Sequence, residues 1–239
     1  MAFEKDYALS IGSKNSGLTI RVIPEILSCP SLEQVIFPAK LELSAHKEVW
    51  FASPQEFKVE MIPKAFRKRN ATYVWLDTEN GLTLHIEFRK QIDLWSGHSF
   101  ILEFNQTHVK QGTLSVAKLK GIISEVSSTF RSIDSIDVTS PRKYIGDGPS
   151  NVRPKVYHDV VLELDWFTYY SPADLSIIGR ERFDNLRTCY EKYDFMGGIM
   201  IILQEEPFDK RNPEHIARRL QAEKELGFDL LPDEPIAKG

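Results

Sequence analysis

The chain has 239 residues, of which 42% are hydrophobic and 27% are charged, so it is long enough to bury a core and too apolar to be disordered. Its net charge of −4 argues against a dedicated nucleic-acid-binding protein, because such proteins carry basic surfaces. The amino terminus lacks the plan of a secretory signal, and no apolar run approaches the length of a membrane span. These features predict a globular cytoplasmic protein.

The charge is unevenly distributed along the chain. Residues 1–120 carry 15 Lys+Arg and 13 Asp+Glu, whereas residues 121–239 carry 15 and 21. The acidic C-terminal half fits either a basic partner or simply a soluble surface. Cys29 and Cys189 lie far apart with no metal-binding or redox spacing, which predicts two reduced thiols.

The first predicted elements are short. The β-branched run of residues 18–23, ended by Pro24, predicts a strand. Residues 31–35 predict a short helix, and alternation over residues 39–43 predicts a second strand. The Ser-Pro pair that opens residues 53–56 predicts a capped helix of one or two turns.

A hairpin and a long helix follow. Residues 72–76 and 82–88 are β-branched and aromatic, and Asn80-Gly81 between them predicts a tight turn. Residues 100–104 predict a third strand of the same meander. Residues 113–130 predict a helix whose buried face has apolar side chains at helical spacing, namely Leu119, Ile122, Ile123, Val126 and Phe130.

The order of elements predicts the fold class. Residues 136–155 lack periodicity and predict a linker or long loop between an N-terminal half, residues 1–135, and a C-terminal half, residues 156–239. Both halves place strands before a helix. We therefore expect an α+β protein with antiparallel or mixed sheets, each packed on one face by helices, in a pseudo-duplicated arrangement of two halves.

The C-terminal half predicts three strands and a helix. Residues 160–170 and 189–195 predict strands, and Gly197-Gly198 predicts the turn to the uniformly apolar run 199–203, which is typical of a central strand. A helix is predicted from Asn212-Pro213 to Leu226.

The two faces of this last helix are predicted from its periodicity. We expect Ile216, Leu220 and Leu226 to face the sheet. The charged residues expected to point mostly to water are Arg218, Arg219, Glu223, Lys224 and Glu225.

Motifs for catalysis are lacking in the sequence. It contains no Gly-x-Ser-x-Gly, HExxH or nucleotide-binding loop, so we expect no catalytic residue, no metal and no cofactor. His98 and His108, which flank a strand, are the best candidates for metal ligands, although structural histidines explain them better. Glu163 and Asp165 share a face and resemble a catalytic pair, or the wet face of an edge strand.

One basic run is a candidate nucleic-acid patch. Four cations lie between Pro63 and the hairpin, with Phe66 and Tyr73 as candidate stacking rings. A solvated turn is the simpler interpretation. The cations are Lys64, Arg67, Lys68 and Arg69.

The segment from Trp166 to Tyr170 is unusually rich in aromatic residues. Strand alternation places Trp166 and Tyr170 on one face and Tyr169 on the other, so we expect at least one large ring to face solvent or a groove. Tyrosine and tryptophan beside carboxylates are typical of protein-binding hot spots. Rings buried in the core are the alternative.

Several short motifs of the C-terminal third resemble immunity-protein family 52, whose genes lie beside those of bacterial polymorphic toxins and type VI effectors. The similarity covers about residues 158–230. The motifs are Leu164-Asp165-Trp166-Phe167-Thr168-Tyr169, Gly197-Gly198, Pro207-Phe208-Asp209, Asn212-Pro213-Glu214-His215 and Leu226-Gly227.

This resemblance implies a non-enzymatic α+β protein that binds and neutralises a cognate nuclease toxin in the cytoplasm. The toxin would be basic and of restriction-endonuclease fold, and no direct contact with nucleic acid or membrane is expected. From acidity and aromatic content we predict a partner-binding surface formed by Trp166, Tyr169, Tyr170, Asp174, Glu205, Glu206 and Asp209.

Two other function classes remain open at this stage. The first is a small-molecule enzyme with a site between the two halves, carried by His98, Glu163 or Asp165. The second is an adaptor or chaperone that loads an effector onto a secretion apparatus.

Overall fold

The structure is a computed structural model that describes residues 6–44, 47–62, 71–92, 97–139 and 155–233. The chain forms two compact units, Met1–Ile136 (unit 1) and Asp137–Gly239 (unit 2). The described ranges contain seven α-helices and twelve strands with antiparallel pairing, which confirms the α+β class. No helix in these ranges has the length and apolar character needed to cross a membrane.

Unit 1 contains six strands in the hydrogen-bonded order β1-β6-β5-β4-β2-β3. The strands are β1 (Tyr7–Ser13), β2 (Ala39–Ser44), β3 (Lys47–Phe51), β4 (Ala71–Thr78), β5 (Thr83–Arg89) and β6 (His98–Phe104). The helices are α1 (Ile23–Leu27), α2 (Pro30–Ile36), α3 (Gln106–Lys110) and α4 (Val116–Phe130). The predicted β4–β5–β6 meander, the second strand, the short helix and the long helix are therefore confirmed.

One face of these strands forms the core of unit 1. Leu9, Leu102 and Leu84 lie opposite one another on β1, β6 and β5, and all three are fully buried. The apolar residues predicted for the buried face of α4 are likewise fully buried. Alternation thus leaves the other face of the same strands partly open to solvent.

The prediction of a strand at residues 18–23 is wrong. The Thr19 hydroxyl accepts a hydrogen bond from the N–H of Arg21, which starts a 3-10 turn at Ile20–Val22, and Pro24 lies in the first turn of α1. Proline at this position favours a helix start, so the cap outweighs the β-branched composition. The capped helix predicted at residues 53–56 is only a single 3-10 turn, Pro54–Glu56, and the Ser53 side chain makes no capping hydrogen bond.

Unit 2 contains four strands in the order β7-β10-β12-β11 and a separate pair, β8–β9. Strand β7 (Ser135–Thr139) begins in unit 1, and the others are β8 (Val156–Tyr157), β9 (Val160–Val161), β10 (Phe167–Tyr170), β11 (Glu191–Phe195) and β12 (Gly198–Ile202). The helices are α5 (Pro172–Ile178), α6 (Glu181–Asp184) and α7 (Pro213–Glu225).

Two predicted segments differ from these bounds. The single strand predicted at residues 160–170 is wrong, because β9 and β10 pair with different neighbours and irregular chain separates them. Residues 136–139 of the predicted linker belong to β7, and residues 140–154 lie outside the described ranges.

Strand β12 is the buried centre of unit 2. All five of its residues are buried, and it pairs with β10 on one side and β11 on the other, as the apolar run predicted. The turn before it is formed by Met196 and Gly197, at φ 48° and 80°, one residue earlier than expected. Gly198 instead permits close packing, since a Cβ there would lie 2.2 Å from the carbonyl oxygen of Tyr170.

The predicted helix α7 is confirmed at both ends. The side chain of Asn212 accepts a hydrogen bond from the N–H of Glu214 at 3.0 Å, and Pro213 occupies the first turn. Gly227, at φ 67°, follows the helix in the left-handed conformation. Both cysteines are free thiols, as predicted.

Replacement of Gly198 by Ala is expected to lower the free energy of unfolding by about 1–3 kcal/mol, because the new methyl group clashes with backbone. Gly17→Ala is the control, since Gly17 has ordinary φ and its Cβ would approach only a side-chain oxygen, at 3.3 Å. Urea unfolding of the full chain measures both. Equal stability of the two variants contradicts the packing argument.

Candidate functional site

The three aromatic residues predicted to contact a partner lie in the core of unit 2. Trp166, Tyr169 and Tyr170 are only 1%, 5% and 2% exposed, so the prediction that one of these rings faces solvent is wrong. The indole N–H of Trp166 donates to the carbonyl oxygen of Gln204 at 2.8 Å. Buried tryptophan usually satisfies its N–H in this way, so these rings are core residues.

The tyrosine rings pack on residues that lie far away in the sequence. The ring of Tyr170 lies 5.0 Å from that of Phe183 and 6.0 Å from that of Phe228. The hydroxyl of Tyr169 donates to the carbonyl oxygen of Met196 at 3.3 Å. The second face of β10 is therefore covered by segments that alternation within the strand could not predict.

The predicted acidic contacts differ in their surroundings. Asp174 is a helix cap: it accepts from the N–H of Ser171 at 2.8 Å while Ser171 caps α5 in return. Asp209 accepts hydrogen bonds from Arg211. Partial burial raises the pKa of Asp209, but the hydrogen bonds from Arg211 outweigh burial and hold this pKa below its usual value. Only Glu205 and Glu206 remain largely exposed.

The exposed carboxylate of Glu206 lies beside a histidine ring and an arginine. Its Oε1 is 3.5 Å from His215 Nε2 and 3.7 Å from an Arg218 nitrogen. The Arg218 side chain is 45% exposed, so its ion pair with Glu206 adds little stability.

A group of five charged side chains, here called the ionic cluster, links α7 to the segment before β10. Its members are Glu163, Asp165, Lys210, Arg219 and Glu223. Arg219 lies 2.7 Å from Glu163 and 3.7 Å from Glu223, and Lys210 lies 3.2 Å from Asp165. Glu223 also accepts from the N–H of Leu164 at 3.0 Å.

Burial shapes the titration of the ionic cluster. Burial raises the pKa of Asp165, and the charge of Lys210 opposes this shift. Burial also raises the pKa of Glu223, where the hydrogen bond from the N–H of Leu164 and the charge of Arg219 oppose the shift. Burial and the nearby carboxylates also raise the pKa of Tyr170 well above its usual value. The hydroxyl of Tyr170 has no hydrogen-bond partner among the described residues.

The ionic cluster explains why the predicted faces of α7 are partly wrong. Leu220 is 54% exposed, whereas Arg219 and Glu223 point inward. Their spacing of four residues allows an ion pair within the helix, which is the sequence signal that could have indicated a buried polar face. Ala222 and Leu226 are fully buried, as the periodicity predicted for Leu226.

A further carboxylate, outside the ionic cluster, holds the same helix. Glu225 accepts hydrogen bonds from the Thr188 hydroxyl and from the backbone N–H groups of Arg187 and Thr188, the latter two at 2.8 Å. These hydrogen bonds, led by the one from the Thr188 hydroxyl, lower the pKa of Glu225 to about 2. Helix α7 is therefore held by carboxylates as well as by apolar contacts.

The two histidines considered as metal ligands use both ring nitrogens in structural hydrogen bonds. His98 Nδ1 accepts from the N–H of Arg89 at 3.2 Å and its Nε2 lies 3.0 Å from the carbonyl oxygen of Asn15. His108 Nδ1 accepts from the N–H of Asn105 at 3.1 Å while its Nε2 lies 2.9 Å from the carbonyl oxygen of Asn80. Because each Nδ1 accepts, each Nε2 carries the proton and donates.

The environment of His98 also favours a neutral ring. Its side chain is 2% exposed, and burial lowers its pKa. The described ranges contain no group of three or more His, Cys, Asp or Glu residues arranged to hold a metal ion. The basic run of Lys64, Arg67, Lys68 and Arg69 lies outside these ranges.

No protein-family model matches the chain, and no curated protein matches it significantly. A functional proposal therefore rests on the residues themselves, their charge distribution and the geometry described above.

Replacement of Asp165 by Asn tests the pKa direction. Because the folded state holds the Asp165 proton more tightly than the unfolded state, this group stabilises the fold below about pH 4, and that contribution is lost as pH rises through its raised pKa. The stability of the wild type minus that of Asp165→Asn should therefore fall as pH rises above about 4. Urea titrations at each pH measure this stability difference, with Asp159→Asn as the charge control. A stability difference that grows with pH would contradict a raised pKa for Asp165.

Replacement of Arg219 by Met is expected to cost about 1–3 kcal/mol of unfolding free energy, because it leaves Glu223 without its cation at 17% side-chain exposure and removes the nearer of the two cations beside Glu163. The matched control is Arg211→Met, whose side chain is 88% exposed and whose loss should cost less than about 1 kcal/mol. Thermal unfolding of both variants decides the point. Similar losses would mean that the ionic cluster does not hold α7.

Proposed function

We propose that the protein is an immunity protein, which binds and neutralises a cognate nuclease toxin in the bacterial cytoplasm. The observation that carries the proposal is the acidity of unit 2: residues 137–239 contain 14 Lys+Arg and 19 Asp+Glu, a formal charge of −5. The resemblance to immunity-protein family 52 falls within this same unit. Acidity and resemblance come from different properties of the chain, yet both indicate a basic protein partner.

The physical basis of the proposal is charge complementarity. A nuclease must present a positive cleft to its phosphate substrate, so an acidic inhibitor is attracted to that cleft and associates quickly. Electrostatic attraction accelerates encounter, whereas buried apolar contacts slow dissociation. An effective inhibitor therefore needs acids and exposed apolar side chains on the same surface.

The structure changes which residues can supply those contacts. The buried rings of Trp166, Tyr169 and Tyr170 are withdrawn as contacts, while Glu205 and Glu206 are retained. Among the exposed apolar side chains of unit 2, two flank β11, the end strand of the order given above. They are Tyr190, 51% exposed, and Met196, 39% exposed.

An enzyme that uses Glu163, Asp165 or His98 is the weaker alternative. The two carboxylates pair with Arg219 and Lys210, and the His98 ring donates and accepts structural hydrogen bonds. An adaptor remains an outcome of the test, because it would bind an effector without blocking it.

The proposal predicts a nuclease toxin gene beside the gene for this chain, and co-expression of the two genes tests it. Cells that receive both genes should grow, and cells that receive the nuclease alone should not. Purified chain should bind the nuclease, and the association rate should fall steeply with salt, as steering predicts. Equal survival with and without the chain contradicts the proposal, and binding without survival would indicate an adaptor.

Charge reversal at Glu205 and Glu206 should lower the association rate by about tenfold, since it removes attraction at the proposed contact. The control is Glu60→Lys with Glu79→Lys, two exposed acids of unit 1 whose reversal changes the net charge equally. Stopped-flow association kinetics compare the two double variants. A larger effect of the control would place the contact outside unit 2.

A further inference from the structure

The open face of the strands in unit 1 carries ordered aromatic side chains. Trp50 on β3 and Trp75 on β4 are 51% and 48% exposed, in contrast to the buried Trp166. With Tyr73 and His85 they form what is here called the aromatic face. Fully packed faces bury residues of this size, so two half-exposed indoles on one sheet face are typical of a binding surface.

Strand pairing holds these rings in a fixed stack. Trp75 lies directly opposite His85 in the β4–β5 register, and their rings stack at 4.3 Å. The ring of Tyr73 also stacks on His85, with the ring centres 5.9 Å apart and an angle of 9° between the ring planes. Because regular strands carry the rings, the stack exists before any partner binds and little ordering cost remains.

A lysine side chain already lies over one ring of the aromatic face. Lys40 on β2 pairs with Trp50 on β3, and its Nζ lies 6.0 Å from the centre of the Trp50 ring. An ammonium or guanidinium over an indole ring is attracted by the negative face of the ring. Burial lowers the pKa of His85, so that ring remains neutral and does not repel a cation.

The charges around the rings favour a basic partner over nucleic acid. Four acids with described side chains point to this face, against two cations, Lys40 and Arg89. Each cation already pairs with an acid of the same face, at 2.6 Å and 2.8 Å. The acids are Glu48, Asp77, Glu87 and Glu103.

We propose that the aromatic face binds an arginine-rich segment of a partner protein. Guanidinium groups stack on Trp75 and Trp50, and other N–H groups of the same segment donate to the carboxylates of Asp77 and Glu103. Single-stranded nucleic acid also stacks on aromatic rings, but it requires cations for its phosphates, and among the described side chains of this face the acids predominate. This proposal concerns unit 1 and does not depend on toxin neutralisation by unit 2.

The test titrates the full chain with an acetylated eight-residue peptide of alternating Arg and Gly at 150 mM salt, by calorimetry and tryptophan fluorescence. Saturable binding with a change in fluorescence is expected. Trp75→Ala should raise the Kd about fivefold, and Leu230→Ala, which removes a 79% exposed apolar side chain from unit 2, should leave it unchanged. Equal affinity of wild type and Trp75→Ala would overturn the proposal.

A second pair of variants separates this surface from general acidity and leaves the rings in place. Asp77→Asn with Glu103→Gln should weaken peptide binding, while Glu205→Gln with Glu206→Gln, the same charge change in unit 2, should not. A ten-residue thymidine oligonucleotide is the rival probe. Tighter binding of the oligonucleotide than of the peptide, or equal effects of the two double variants, also overturns the proposal.

Discussion

Burial of strand β12 on both faces is the constraint on which unit 2 depends. Five consecutive residues without a polar side chain cannot face water, so β12 requires hydrogen-bonded neighbours on both sides and covering side chains above and below. The neighbouring strand β10 is buried for the same reason, which moves Trp166, Tyr169 and Tyr170 into the core. The close approach at Gly198 is a further consequence of this packing.

Helix α7 is held to unit 2 by polar contacts as well as apolar ones. Few of its residues are apolar, and Leu220 faces solvent. Its inward carboxylates accept from backbone N–H groups of Leu164, Arg187 and Thr188, which would otherwise lack partners. The ionic cluster therefore fits a structural role, and the acids that resemble a catalytic pair in the sequence belong to this link between helix and strand.

Local patterns predicted the elements whose environment depends on near neighbours. The apolar face of α4 and the β4–β5 hairpin with its turn at Gly81 follow from helical spacing and turn chemistry, and both were correct. The prediction of a strand at residues 18–23 was wrong because a helix cap and a proline outweighed strand propensity. The prediction that a ring of the Trp166 segment is exposed was wrong because distant residues such as Phe183 and Phe228 cover it, and no local pattern specifies these residues.

The exposed tryptophans on unit 1 were missed for the converse reason. Trp50 and Trp75 lie in strands where an aromatic residue suggests core, and only the register with Lys40, Asp77 and His85 shows that they share a solvent-facing side with acids. Two surfaces thus emerge: an acidic unit 2 that supports the inhibitor proposal, and an aromatic face on unit 1. Both fit a protein that acts by contact with another protein.

The central claim, that this chain acts by occupying a nuclease, is tested most directly by titration of the purified nuclease with the purified chain at concentrations far above their Kd. Nuclease activity on a fluorescent DNA or RNA substrate should fall linearly and end at a fixed stoichiometric ratio, as a tight inhibitor requires. Activity that persists at a large molar excess of the chain, or that falls at catalytic amounts of it, would contradict the account.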